Sequence, residues 1–506
     1  MKSTAGALLG HFDDHLQARW RVYLLLVCAL AAVLSGLTAV SRPLQHDELF
    51  TYYVARQDSF SAIYSALVNR ADDHPPLDYW IRHASMAVFG PGELAFRLPS
   101  IAAFIASLLG LFVLAQRFWG ATSGFIAVGV ALLSQANSMS YFGRAYSLIL
   151  LWAIAGLLLW RMATDGWRRR WALAGLGGLF LTSTWLHFYA PFHLAAIVMA
   201  EIARVWKRRA LDRGMLAAFF CSVLGLPLVS PLLAYAKTFA RGFWTPVNLQ
   251  ATLDIYGAMF VFGVPAFFAL LMVWALLQWA VPAGEFAPAG AKHQDFGPEL
   301  VACGYLLLLP FVIFILAKVA TGALHSKYAI SLTAGAALLM AFAVSRSARL
   351  RLAALCTIPV FALGIMGMKA VAALRSGHIA AMTSALTAVA QSTDLPVVVD
   401  TPQSFLEGAH YAEAAVRSRL FYLVDPAAAL RVQTEDTDQK AMLGLARIAP
   451  FQAVPLAQFV REHPRFLLFY EGGWVLHWAV EHHAAMQVAY CGRMPLITID
   501  VSAPAR

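Results

Sequence analysis

The chain has 506 residues, 60% of them hydrophobic and only 13% charged, with a mean hydropathy of +0.64. A water-soluble domain is nearer about half apolar and a quarter charged, so the composition excludes a wholly soluble protein and points to a polytopic membrane protein. The formal charge of +10 does not call for nucleic acid as a partner. The basic residues gather in short loops between apolar runs, where they carry topological information.

The N-terminal stretch is charged up to Arg21 and then apolar to about Val40, without a small-residue cleavage site. It reads as an uncleaved first span. Apolar runs near twenty residues follow at 94–116, 121–140, 145–163, 171–187, 188–204, 214–236, 254–280, 298–320, 328–344 and 352–373, about eleven spans in all. The basic loops at Arg161–Arg170, Arg204–Arg213 and Arg346–Arg351 all fall on the same side as Arg19 and Arg21. That side is cytoplasmic by the excess of Lys and Arg. The loop after span one, the turn at His187, the 237–253 loop, the turn at His325 and the tail are then expected outside. Cys28, Cys221, Cys303, Cys356 and Cys491 are scattered, without metal spacing or a disulfide framework.

The first outer loop, 41–93, is organised. Phe60, Ile63, Tyr64, Leu67 and Val68 share one helical face behind Ser59 as N-cap. Leu77, Trp80, Ile81, Ala84 and Val88 share another, with Pro75 as a first-turn proline. Both helices are too short to span and are expected to lie in the interface. The adjacent acids Asp47 and Glu48 open this loop, and Asp72-Asp73-His74-Pro75-Pro76 lies between its helices. Carboxylates beside lipid are costly unless they have a task. Neighbouring carboxylates push their pKa values apart, so that one stays ionised as a base. The prolines fix where Asp73 and His74 point, which suits a phosphate contact or a metal ion.

Arg144 opens the fourth span on the outer side, where Arg is in the minority, and Arg binds phosphate in a bidentate way. His325 and Lys327 open the tenth span on the same side. Tyr146, in the Arg144-Ala145-Tyr146-Ser147 motif, and His187 are expected substrate contacts. The outer face therefore offers acids for a base and cations for an anionic leaving group, which fits transfer of a group from a lipid phosphate. A transporter is the rival reading, but transporters place their charged sites near the bilayer midplane. After about residue 390 apolar strands at 396–399, 420–424, 466–470 and 496–499 alternate with helical patterns. A small α/β domain with a largely parallel sheet follows. Domain limits of 1–375 and 376–506 are expected.

His46-Asp47-Glu48, Asp73-His74-Pro75-Pro76-Leu77 and Arg144-Ala145-Tyr146-Ser147 together resemble bacterial membrane glycosyltransferases of the C fold, near the protein mannosyltransferase and lipid A aminoarabinose transferase group. The resemblance covers roughly 20–345. It implies an inverting enzyme of the inner membrane that takes a sugar from a polyprenyl-phosphate donor on the outer face, with Asp47 as base. The acceptor is then a lipid, glycan or protein of the envelope. Relatives often carry a Lys where this chain has His74, so the charge by the donor phosphate becomes pH-dependent. Asp73 matches an acid proposed as a metal ligand in some relatives, which makes a divalent metal ion the one cofactor the resemblance suggests. Donor-phosphate contacts are expected from Arg144, Lys327, His325 and His74.

Overall fold

The computed structural model describes residues 4–236, 238, 245–280, 296–375, 383–389, 393–491 and 494–504. The middle of the 237–253 loop and the boundary expected at 375/376 lie partly outside them. Four helices are long and apolar enough to cross a membrane, the first of them beginning well before the expected residue 21: Thr4–Ser41, Glu93–Leu132, Tyr146–Thr164 and Ala348–Leu374. Three bent pairs bring the number to seven: Arg213–Leu224 with Leu226–Ala236, Leu249–Met259 with Gly263–Trp279, and Gly297–Leu307 with Leu309–Thr321. Two of the bends, each 49°, fall just before Pro227 and Pro310, where a ring replaces a backbone donor and crowds the preceding turn.

The other expected spans are present but fail on length or charge. Arg169–Leu186 starts on arginines, and Leu332–Arg346 has only 15 residues. Ala190–Arg208 contains Glu201 and Arg204, which neutralise each other at 2.6 Å while Trp160 Nε1 donates to Glu201 at 2.9 Å. The expected runs 94–116 and 121–140 are two arms of one long element. The chain turns between them at Gly120 (φ 86°, ψ 172°), a conformation open to glycine, and Phe112 packs against Gly124 across the turn.

The loop after the first span holds three helices, His46–Ala55, Phe60–Val68 and Leu77–Phe89. Ser59 caps the second by accepting from Ala62 N at 3.1 Å. Pro75 stands one step outside the third, with Pro76 as its N-cap. Their apolar residues are divided. Ile63, Leu67 and Tyr79 share a buried core with Val397, Phe405 and Tyr422 of the C-terminal domain, while Phe60, Val68, Val88 and Phe89 remain exposed.

The C-terminal domain is built on a six-stranded sheet: β1 Val397–Val399, β2 Leu420–Val424, β3 Gln452–Pro455, β4 Arg465–Phe469, β5 Ala484–Cys491 and β6 Met494–Pro504, in the order β3-β2-β1-β4-β6-β5. The first four pair in parallel, and β6 and β5 add an antiparallel edge. All four expected strands are present. The two edge strands β3 and β5 escape the sequence reading because β3 is four mixed residues, and β5, though largely apolar, is rich in alanine and follows directly on a helical pattern. The domain is docked on the first loop. Tyr411 donates to Glu93 at 2.6 Å and accepts from Leu44 N at 2.7 Å, and Tyr53 pairs with His410 at 2.9 Å. A Cβ on Gly444 would meet Arg70 O at 1.9 Å, so this position has room only for glycine.

Candidate active site

A cavity of about 970 Å³ lies where the bundle, the first loop and the C-terminal domain meet. Asp47, Asp72, Asp73 and His74 reach it from the first loop. Arg144 and Tyr146 come from the start of the helix Tyr146–Thr164, and His325 and Lys327 from the turn before Leu332–Arg346. The fold thus brings together eight residues that the sequence scatters over 280 positions (Asp47 to Lys327).

Asp47 is the second residue of its helix. Its Oδ2 accepts from Lys327 Nζ at 2.6 Å, and its Oδ1 lies 3.3 Å from His46 Nδ1. Burial works against the carboxylate, but Lys327, His46 and Arg144 outweigh it and hold the carboxyl well below its usual range. Asp47 is therefore an ionised, proton-accepting group at neutral pH. His46 reaches across to Asp438 of the C-terminal domain, 3.1 Å from Nε2. Burial opposes its charge, yet Asp438 and Asp47 push its pKa up to about 10.

Glu48 faces a different task. Its oxygens accept from Arg97 Nε and Nη2 at 2.7 and 2.6 Å, from Gly143 N at 2.7 Å and from Gln45 N at 3.1 Å. Both partners are 1% exposed. Arg97 also donates to the carbonyls of Ala39, Arg42 and Pro43. The second member of the acidic pair is thus committed to holding the end of the first span against the helix Glu93–Leu132 and the turn before Arg144. An Arg inside an apolar run was the available sequence signal for this clamp.

The second acidic cluster is also charge-balanced. Arg144 Nη1 donates to Asp72 Oδ2 and to Thr51 Oγ1, both at 2.8 Å. Asp72 is held low, burial being outweighed by Arg144 and His74. His74 Nδ1 is 2.6 Å from Asp73. Burial lowers its pKa, but Asp73 and Asp72 carry it to about 9, so its charge is constant through neutral pH rather than poised there. Asp72, Asp73 and His74 can each offer a ligand atom within 4.8 Å of the others. However, Asp72 is already neutralised by a guanidinium and Asp73 by an imidazolium. A divalent cation would stand against both, and the set does not fit one.

His325 lines the cavity, but burial and Lys327 push its pKa down to about 4. It is a neutral hydrogen-bonding group there, with Nδ1 accepting from Lys327 N at 3.2 Å. His187 lies in a recess behind Arg144 and Tyr146 and does not line the main cavity. Burial and the His74 charge keep it neutral. Its Nδ1 accepts from Tyr189 N at 3.1 Å, which puts its remaining proton on Nε2. Three buried polar atoms around this recess have no hydrogen-bond partner among the described residues: Arg144 Nε, Tyr146 Oη and His187 Nε2. The recess has no room for a ligand; Arg144 and Tyr146 also border the main cavity. Sequence reading did not find the wall supplied by the C-terminal domain: Gln403, Glu435, Thr437 and Asp438.

Comparison with known proteins adds three findings. The family model for dolichyl-phosphate-mannose-protein mannosyltransferase matches residues 73–235. That segment holds Asp73, His74, Arg144 and Tyr146 and leaves out Asp47 and Lys327. Undecaprenyl phosphate-alpha-4-amino-4-deoxy-L-arabinose arabinosyl transferases are 27% identical to the chain. The match covers 49% of the chain and 46% of the protein from Pseudomonas paraeruginosa, and 55% and 52% for that from Pseudomonas aeruginosa strain UCBPP-PA14. The chain spans about half the length of the curated relatives it matches. The crystal structure of ArnT from Cupriavidus metallidurans bound to undecaprenyl phosphate superposes with a TM-score of 0.57 at 14% identity, over 96% of this chain and 98% of that one. The apo form gives a TM-score of 0.59 over 96% and 99%. The chain thus shares the fold of the aminoarabinose transferase structure over almost its whole length, and over its central helices it is similar to the protein mannosyltransferase family.

Proposed function

We propose that the protein is an inverting glycosyltransferase that moves a sugar from a polyprenyl-phosphate donor to an envelope lipid, glycan or protein acceptor at the outer face of the inner membrane. The observation that carries this reading is the ionised Asp47 carboxylate set against Lys327 and Arg144 in one large cavity at the head of the bundle. The acceptor oxygen attacks the anomeric carbon and the bond from that carbon to the phosphate oxygen breaks. The electron pair leaves with the polyprenyl phosphate, and Asp47 takes the acceptor's proton. Lys327, Arg144 and His74 stabilise the charge that develops on the leaving phosphate. His325 and Tyr146 supply hydrogen bonds, and His187 positions Tyr146 and His74 from behind. Glu48 holds the loop that carries Asp47.

The relatives' names include an undecaprenyl phosphate-linked sugar, and the neighbouring structure binds undecaprenyl phosphate, which supports a lipid-phosphate donor. The same topology puts the C-terminal domain, taken as 376–506, outside the cytoplasm, with the bundle over 1–375. A transporter is disfavoured because the charged groups gather at one end of the helices. Two measurements test the proposal. Purified protein is expected to release polyprenyl phosphate from a labelled donor only with acceptor present. Arg144→Gln slows that release about 10²-fold or more per folded molecule, and Arg144→Lys restores part of it, since an ammonium lacks the bidentate geometry. A fully active Gln variant would remove Arg144 from the site. A reporter fused at residue 375 is expected to read the outer side, and a cytoplasmic signal there would overturn the topology.

A further inference from the structure

Most charges on the cavity wall are matched: Asp47 with Lys327, Asp72 with Arg144, Asp438 with His46. Two cations are not. Arg42 and Lys369 make no ion pair among the described residues. Both sit on the same aromatic ring, with the Arg42 guanidinium 5.6 Å and Lys369 Nζ 5.8 Å from the centre of Tyr141. Arg42 Nη1 donates to Tyr141 Oη at 3.3 Å, and Lys369 Nζ donates to Ser138 Oγ at 3.1 Å and packs 5.7 Å from the Phe262 ring. All five side chains line the cavity.

Two like charges on one ring repel each other, and the ring's face offsets only part of that cost. A cation inside a membrane-crossing helix is expensive and faces a cavity where it has a task. Lys369 is such a cation, within Ala348–Leu374. Its neighbour Met368 borders the cavity and is itself exposed, and Val371 and Leu374 are exposed on the outside of the helix, where lipid surrounds it. The pair therefore lies where the cavity opens toward lipid.

We infer that Arg42 and Lys369, with Tyr141 and Ser138, form a second anion subsite that takes a phosphate carried on a lipid. The guanidinium supplies a flat two-donor edge and the ammonium a mobile point charge. The serine and tyrosine hydroxyls add two neutral donors. This subsite is separate from the Lys327 and Arg144 cations, which already have carboxylate partners. The inference concerns binding and stands without the transfer reaction, so its failure and that of the proposed activity are distinguishable.

The test is native mass spectrometry of the full chain released from mixed micelles that contain phosphatidic acid or undecaprenyl phosphate against phosphatidylcholine. Wild-type protein is expected to retain two phosphomonoester lipids selectively, one at the Lys327 and Arg144 cations and a second at Arg42 and Lys369, and the second is the one scored. Arg42→Gln and Lys369→Gln each reduce that retention roughly tenfold, and Lys369→Arg preserves it. Lys369→Met, which keeps the apolar stem, serves if the Gln variant does not fold. Variants that are monodisperse yet retain the phosphate lipids as wild type does would overturn the inference. So would displacement of the lipid by millimolar inorganic phosphate, which would assign the pair to a free anion.

Discussion

Asp47→Asn is expected to slow sugar transfer by about 10²–10⁴-fold, the usual contribution of a positioned general base, with folded protein recovered in normal amount. The variant keeps the shape of the side chain and its hydrogen bond from Lys327, and removes only the ability to hold a proton. The apo pairing explains why the loss is not larger. Lys327 at 2.6 Å keeps the carboxylate ionised but weakly basic. Donor phosphate competes for the same ammonium, and each increment of Lys327 charge given to the phosphate raises the basicity of Asp47. Single-turnover transfer, normalised to folded protein, measures the effect. Turnover near wild type would show that Asp47 is not the base.

Glu48→Gln, one residue on, has a different expected signature. It leaves the buried Arg97 guanidinium with only Glu93, 3.6 Å away and partly exposed, as a counter-charge, a loss of up to about 3–5 kcal/mol. The expected result is a sharply lower thermal midpoint in detergent and a poor yield of folded protein, while the fraction that remains folded keeps most of its turnover. The double variant with Arg97→Met is expected to be less damaged than the two single effects summed, because no buried charge is left unpaired. A stable but inactive Glu48→Gln variant would instead make Glu48 a reacting group.

These two neighbours show where sequence reading reaches and where it stops. Adjacent acids beside a first span announce a site, but sequence alone ranks them as a pair. Burial and partners separate them: both border the cavity, but Asp47 is partly exposed there, whereas Glu48 is buried and enclosed by Arg97 and Gly143. The spans were legible because about twenty apolar residues in a row have one physical meaning. Arg144 and Lys327 were legible because positive charge is out of place on the outer side. The Asp72–Arg144 and His46–Asp438 pairs were not, since charges 72 and 392 residues apart become partners only through packing. The edge strands β3 and β5 were missed for a local reason: Gln452–Pro455 is too short and mixed to show a period, and the alanine-rich Ala484–Cys491 reads equally as the continuation of the helix before it.

The cavity's outer wall comes from the C-terminal domain, through Gln403, Glu435, Thr437 and Asp438, while the family match ends at residue 235. The cavity is thus assembled from distant stretches of the gene: Asp47 and Lys327 lie outside the matched segment, Arg144 inside it, and the far wall in the tail. Substitutions at Gln403, Glu435 or Thr437 change the shape of that wall without touching the helices that hold Asp47 and Arg144. The His46–Asp438 contact is one seam across which these stretches must stay matched. An exchange of tails between relatives must keep this pair together with the Tyr411–Glu93 and Tyr53–His410 contacts and the glycine at 444.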